Sequence, residues 1–170
     1  MAYGAETRFC DYLRKMADKK QARRTVCVNR RAHMEFDLDT QYEAGMILTG
    51  SEVKSMRAGR VTLEEGWVEF HNGKPVLMGA HVAIFAQANR YNHEPVHARP
   101  LLLHWEEAQK LHQLVKEKGV TLVPLELYFK GPWVKLIFAV GKGRKLHDKR
   151  HVLREKEDKR EVARELKERR

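Results

Sequence analysis

Trp67-Val68-Glu69-Phe70-His71-Asn72-Gly73-Lys74-Pro75-Val76-Leu77-Met78 sets two apolar-rich runs on either side of an Asn-Gly pair. Asn-Gly tolerates the positive φ angles that both central residues of a type I′ turn require, so strands at Trp67 to Phe70 and Val76 to Met78 are expected to pair as a tight antiparallel hairpin. Downstream, the strand-like runs Thr121 to Lys130 and Trp133 to Val140 are joined by Gly131-Pro132, which predicts a second hairpin. Upstream, Met34, Phe36 and Leu38 alternate with Glu35, Asp37 and Asp39, the period-two pattern of a half-buried strand, and Tyr42 to Leu48 is expected to be its partner. Ser51 to Ala58 reads as a short helix capped by Ser51, with Val53 and Met56 on one face and Gly59 as its stop. His104 to Lys118 spaces Ala108, Leu111 and Val115 as a helix ending at Gly119. Short strands, tight turns and a few helices without βαβ alternation predict a mainly β fold, a small antiparallel oligonucleotide-binding-like barrel with peripheral helices.

Charge divides the chain in three. The first thirty-one residues hold nine Lys or Arg against three Asp or Glu, and Gly141 to Arg170 hold thirteen against seven. These ends carry all of the net charge of +10, and the stretch between them is slightly acidic. Three regions are expected: a flexible basic extension over 1–28, a folded body over 29–140 and a basic tail over 141–170. The tail has no continuous apolar stripe, yet acid-first pairs such as Glu155 with Lys159 favour a helix. It is expected to be disordered when free and helical on a partner that supplies negative charge. Two cationic arms on a near-neutral body suit a polyanion, above all a nucleic acid. No run reaches the roughly 20 apolar residues of a membrane span, and the start has no secretory pattern. Glu6, Asp11 and Asp18 are out of place in a transit peptide, and Cys10 and Cys27 suggest neither a disulfide framework nor a thiolate site. A cytoplasmic protein is expected.

Five motifs in order carry a resemblance: Tyr42-Glu43-Ala44-Gly45; Thr49-Gly50-Ser51-Glu52-Val53-Lys54-Ser55-Met56-Arg57-Ala58-Gly59; Asn89-Arg90-Tyr91-Asn92-His93-Glu94-Pro95; Leu101-Leu102-Leu103-His104; and Gly141-Lys142-Gly143-Arg144-Lys145-Leu146-His147-Asp148-Lys149-Arg150. From about Asn29 to the C-terminus the chain resembles the small protein B family, the bacterial partners of transfer-messenger RNA. The resemblance implies an antiparallel barrel with three helices, and an adaptor role in trans-translation. Such a protein binds the tRNA-like part of transfer-messenger RNA and brings it to 70S ribosomes stalled without a codon in the A site. Its tail enters the vacant mRNA channel of the small subunit near the decoding centre. Three departures stand out: Met34 replaces the usual histidine, Pro100 replaces a common lysine, and the first fifteen or so residues have no counterpart, Met16-Ala17-Asp18-Lys19-Lys20 resembling the family's ordinary start.

Taken with the resemblance, the RNA contacts are expected at Asn29, Arg30, Arg31, His33, Glu43, Glu52, Lys54, Arg57 and His104. The ribosome-directed tail residues are expected to be Lys142, Arg144, Lys145, Asp148, Lys149 and Arg150. A carboxylate such as that of Glu43 can accept hydrogen bonds from base N–H groups or a 2′-hydroxyl. Leu101 to Leu103 read as core, and Trp67, Trp105 and Trp133 as packing anchors at element ends. No metal or other cofactor is expected: Pro95 interrupts the His93/His97 pair, and Asp37 and Asp39 share a solvent face. Ser51, Ser55 and His81 lack catalytic companions, so no enzyme is expected. The rivals are a metal-dependent nuclease on a small barrel and a general single-strand-binding barrel, which would need an aromatic-lined cationic groove.

Overall fold

The computed structural model describes residues 23–88, 92–116 and 120–144. In chain order these form β1 (Arg23–Val28), α1 (Ala32–Glu35), β2 (Phe36–Met46), α2 (Gly50–Arg57), β3 (Val61–Thr62), β4 (Trp67–His71), β5 (Lys74–Met78), β6 (His81–Val82), a 3₁₀ turn (Ala86–Ala88), β7 (Arg99–Leu102), α3 (Trp105–Lys116), β8 (Val120–Lys130) and β9 (Trp133–Gly143). The large sheet runs β1-β8-β4-β5-β7-β2-β9, and β9 pairs back onto β8. Six antiparallel strands therefore close a ring, which leaves few open edges, and β1 extends along the far half of β8.

Both expected hairpins form. His71 pairs with Lys74 across Asn72-Gly73, whose φ angles are 50° and 75° as a type I′ turn requires. Lys130 pairs with Trp133 across Gly131-Pro132, with Gly131 at φ 60° in the first loop position. Residues 36–46 differ from expectation, being one continuous strand instead of two paired ones. No turn residue separates Asp39 from Tyr42, and the ladder to β9 absorbs one extra residue between Leu38 and Gln41. That bulge turns the side chains over: Tyr42, Ala44 and Met46 face the barrel interior, whereas Phe36 and Leu38 face outward against Ala32 of α1. Met34 lies in the helical turn α1, not in the strand, its N–H bonded to the Arg31 carbonyl at 2.9 Å. A second bulge, between Pro124 and Glu126 of β8, does the same on the neighbouring strand and accommodates the proline. Strand β8 is consequently buried on both faces, with Leu122 and Leu127 inside and Val123 and Leu125 under α1.

The sheet also outruns the expected body at both ends, since β1 begins at Arg23 and β9 continues to Gly143. The interior is filled by Ala44, Val68, Leu77, Leu101, Leu136 and Phe138, joined by Met56 of α2 and Leu111 of α3. Helix α2 starts one residue before Ser51, and the cap is Thr49: its N–H and hydroxyl both donate to Glu52, at 2.8 and 2.9 Å. Helix α3 spans the expected stretch up to Lys116, and Gly119 lies outside the described residues.

Candidate nucleic-acid interface

Outward-facing residues of β2, β9 and β8 assemble a polar cluster beside the patch covered by α1. Glu43 of β2 accepts a hydrogen bond from the Tyr128 hydroxyl of β8 and an ion pair from Lys135 Nζ of β9 at 3.2 Å. These contacts follow from register, because Lys135 lies across from both Gly45 and Tyr128. The Tyr128 hydroxyl, with help from Lys135, holds the Glu43 carboxyl below the ordinary carboxylate range. Burial and the Glu43 charge push the Tyr128 phenol up to about 12, so it remains a donor. On its other side, Arg23 of β1 stacks over the Tyr128 ring at 4.3 Å and pairs with Glu126. Glu43 and Lys135 line one wall of an open cleft completed by Leu102, Leu103, His104 and Glu107. His104 reaches it from the N-terminus of α3, its carbonyl accepting the Ala108 N–H at 2.9 Å.

Strand β1 connects this cleft with the cations of α2. Arg24 donates to the Arg57 carbonyl at 3.4 Å, Arg57 lies over Phe129 at 5.9 Å, and Lys54 lies over Phe85 at 5.4 Å. Lys54 and Arg57 are both exposed. Arg30, Arg31 and His33 are also exposed and sit around α1, with Arg31 paired to Glu35 at 3.1 Å. The tail leaves from the same end: the Arg144 N–H bonds to the Glu35 carbonyl at 2.9 Å and its guanidinium reaches Asp37 at 3.4 Å. Lys142 is exposed, while Lys145, Asp148, Lys149 and Arg150 lie outside the described residues.

Two residues expected at this surface are interior. Asn29 is 3% exposed: its amide donates to the Pro124 carbonyl at 3.1 Å, and its carbonyl oxygen accepts the N–H groups of Arg31 and Ala32 at 3.2 and 3.1 Å. It fixes the bend that points Arg30 and Arg31 outward. Glu52 is 1% exposed and pairs with the fully buried Arg99 at 2.7 Å. The Arg99 guanidinium also donates to the carbonyls of Ala80 at 2.7 Å, His97 at 3.2 Å and Pro95 at 3.1 Å. With both of its oxygens engaged inside the protein, Glu52 holds α2 to Arg99 at the start of β7 and has none free for RNA. Burial opposes its charge, but the Thr49 amide and Arg99 more than offset this, leaving the carboxyl below its usual range.

Sequence reasoning missed Arg23, Tyr128, Lys135 and Leu102. The first three lie in runs read only as extension or strand, and their convergence depends on cross-strand register. Leu102 reads as core with its neighbours, but alternation along β7 buries Leu101 and leaves Leu102 58% exposed. Trp105 and Trp133 do not anchor the fold either, being 73% and 68% exposed, whereas Trp67 covers Gly79. Among the described residues, no three His, Cys, Asp or Glu side chains converge as metal ligands, and His93 instead contacts Ser51 Oγ at 3.0 Å and the Val82 carbonyl at 3.1 Å. No helix among them is long and apolar enough to cross a membrane.

Comparison with known proteins converges on one family. The family model described as SmpB protein matches residues 26–168. The SsrA-binding protein of Nostoc punctiforme is 44% identical over 84% of this chain and 93% of its own length. That of Anoxybacillus flavithermus is 44% identical over 78% of this chain and 86% of its own. Both relatives are named for a binding partner and not for a reaction. A solved chain, from a structure described as tmRNA-SmpB journeying to the centre of the bacterial ribosome, is 35% identical with a TM-score of 0.62, covering 75% of this chain and 94% of that one. With a family match over most of its length and relatives at this identity, the chain belongs to the SmpB family.

Proposed function

We propose that the chain is a non-enzymatic, cytoplasmic adaptor of ribosome rescue, binding the tRNA-like part of transfer-messenger RNA and delivering it to ribosomes stalled without a codon in the A site. The observation that carries this reading is the Glu43–Lys135–His104 cleft, continuous through Arg23 and Arg24 with the exposed Lys54 and Arg57. The cleft offers a carboxylate held ionised, a lysine and an exposed imidazole, groups that hydrogen-bond to base edges and 2′-hydroxyls. The flanking cations supply sequence-independent attraction to phosphate. Arg30, Arg31 and His33 extend that attraction towards the root of the tail. Residues 141–170 then act on the ribosome, where Lys142, Arg144, Lys145, Lys149 and Arg150 meet rRNA phosphates and the segment after Asp148 becomes helical inside an empty mRNA channel. A tail of that kind detects a missing message by steric room, without reading any base.

Sequencing of the RNA that copurifies with the chain tests the function. Strong enrichment of one tRNA-ended transcript carrying a short reading frame is expected. Recovery of mixed single strands without enrichment would favour a general single-strand-binding barrel, and breakdown of bound RNA in magnesium but not in chelator would favour a nuclease.

A further inference from the structure

The folded body exposes large apolar side chains in and beside the cleft. Leu102 is 58% exposed, Ile47 54%, Trp133 68% and Trp105 73%. Their clustering follows from register and chain neighbourhood. Leu102 lies opposite Gly45, which lies opposite Lys135, and Trp133 is two residues from Lys135 on the same face of β9. Ile47 is two residues beyond Gly45, its N–H bonded to the Pro100 carbonyl at 3.0 Å. Trp105 follows His104 directly and shares a second shallow hollow with His104, Glu106 and Glu107, of which His104 and Glu107 also line the cleft. An indole left this open in a folded domain loses the hydrophobic gain of burial, and neighbouring exposures of this size mark a contact surface.

We propose that Trp105 and Trp133 are stacking platforms for unpaired bases of the RNA that occupies the cleft, an inference that rests on the reading of the cleft as an RNA site. Indole rings stack on any nucleobase, and loop nucleotides of a folded RNA present unstacked faces that a duplex does not. At Trp133, charge favours this occupant over an apolar protein surface. Lys130 is the register partner of Trp133, and Lys135, two residues along β9, lines the cleft, so phosphates flanking a base stacked on Trp133 meet cations. The two tryptophans border different walls of the cleft, Trp105 beyond His104 and Trp133 beyond Lys135. They therefore bind two separate unpaired bases on either side of the groups that read base edges.

The test titrates the full-length chain with a transcript of the tRNA-like part of transfer-messenger RNA, comparing the parent with Trp105→Ala, Trp133→Ala, the corresponding Phe variants and Glu43→Ala. Each Ala variant is expected to bind about tenfold more weakly with an unchanged melting temperature, and each Phe variant to recover most of the loss. In a Trp67→Phe background the remaining indole fluorescence is expected to be quenched by this transcript and not by a loop-free duplex. Parental binding by both Ala variants, with Glu43→Ala weakened, overturns the stacking proposal and leaves the cleft reading intact. Parental binding by Glu43→Ala as well overturns both. Parental RNA binding together with lost ribosome association in the Trp variants assigns this surface to the ribosome and likewise overturns the proposal.

Discussion

Glu52 and Arg99 show what a motif residue contributes when its side chain never reaches solvent. Their contact at 2.7 Å is supported by Thr49 on one side and by three backbone carbonyls on the other, so removal of either charge strands its partner in the interior. Glu52→Gln is expected to cost about 3–5 kcal/mol, a fall in melting temperature on the order of 10 °C, while leaving the RNA affinity of the molecules that remain folded within a few fold. A calorimetric scan beside a binding titration separates the two effects. The carboxyl is held below its ordinary value of about 4.3, so its ionisation stabilises the fold above that pH, and the contribution is lost as pH falls through the lower folded-state value. Tyr128 works in the opposite sense. With its phenol raised to about 12, the stability it contributes is complete below about pH 10 and is lost as pH rises towards 12. Spectrophotometric titration is expected to show Tyr128 ionising near pH 12, and Tyr128→Phe to abolish that late step; its persistence in the variant would contradict the assignment.

At the scale of elements, glycines at positive φ separate turns that need only a backbone conformation from turns that also need space. Gly59 has φ 71° with nothing near a prospective Cβ, whereas Gly79 has φ 68° and a Cβ there would meet the Glu65 carbonyl oxygen at 2.4 Å and the Trp67 ring at 2.7 Å. Gly59→Ala is expected to cost about 1–2 kcal/mol, the price of a left-handed residue. Gly79→Ala is expected to cost clearly more, because the chain between β5 and β6 must shift. Thermal unfolding of the two variants checks the order. Both hairpins were legible in the sequence, since Asn72-Gly73 and Gly131-Pro132 specify turns from local sterics alone. The continuity of β2 was not legible, because its bulge between Leu38 and Gln41 exists only against β9. The pairing of β1 was hidden for a similar reason: Arg23-Arg24 reads as a charged arm until Glu126 and Tyr128 of β8 receive it. Glu43 and His104, which the structure brings to one cleft, stand in motifs visible in the sequence. Lys135 carries no local signal, and the burial of Asn29 and Glu52 has none either, because burial of a polar side chain depends on partners distant in sequence.

At the scale of the whole molecule, a closed barrel that positions the cleft is joined to a tail that leaves beside α1. Strand β9 pairs with β2 as far as Gly143, and Arg144 is tied to Glu35, so a cut that spares the barrel belongs after Arg144. The chain cut there is expected to keep its RNA and to lose peptide tagging on stalled ribosomes in a reconstituted translation system. Replacement of Asp148, Lys149 and Arg150 together by Ala is expected to lose tagging almost as completely, and tagging at the parental rate would reduce the tail to an electrostatic tether. The division of labour between body and tail is tested most directly by the dissociation constant for transfer-messenger RNA, measured across one salt series for the parent, the chain cut after Arg144 and full-length Glu43→Ala. The cut chain is expected to stay within a few fold of the parent at each salt concentration, and Glu43→Ala to be weaker by about tenfold throughout, as loss of a charge-assisted contact requires. Lost binding in the cut chain with parental binding by Glu43→Ala would contradict that division of labour.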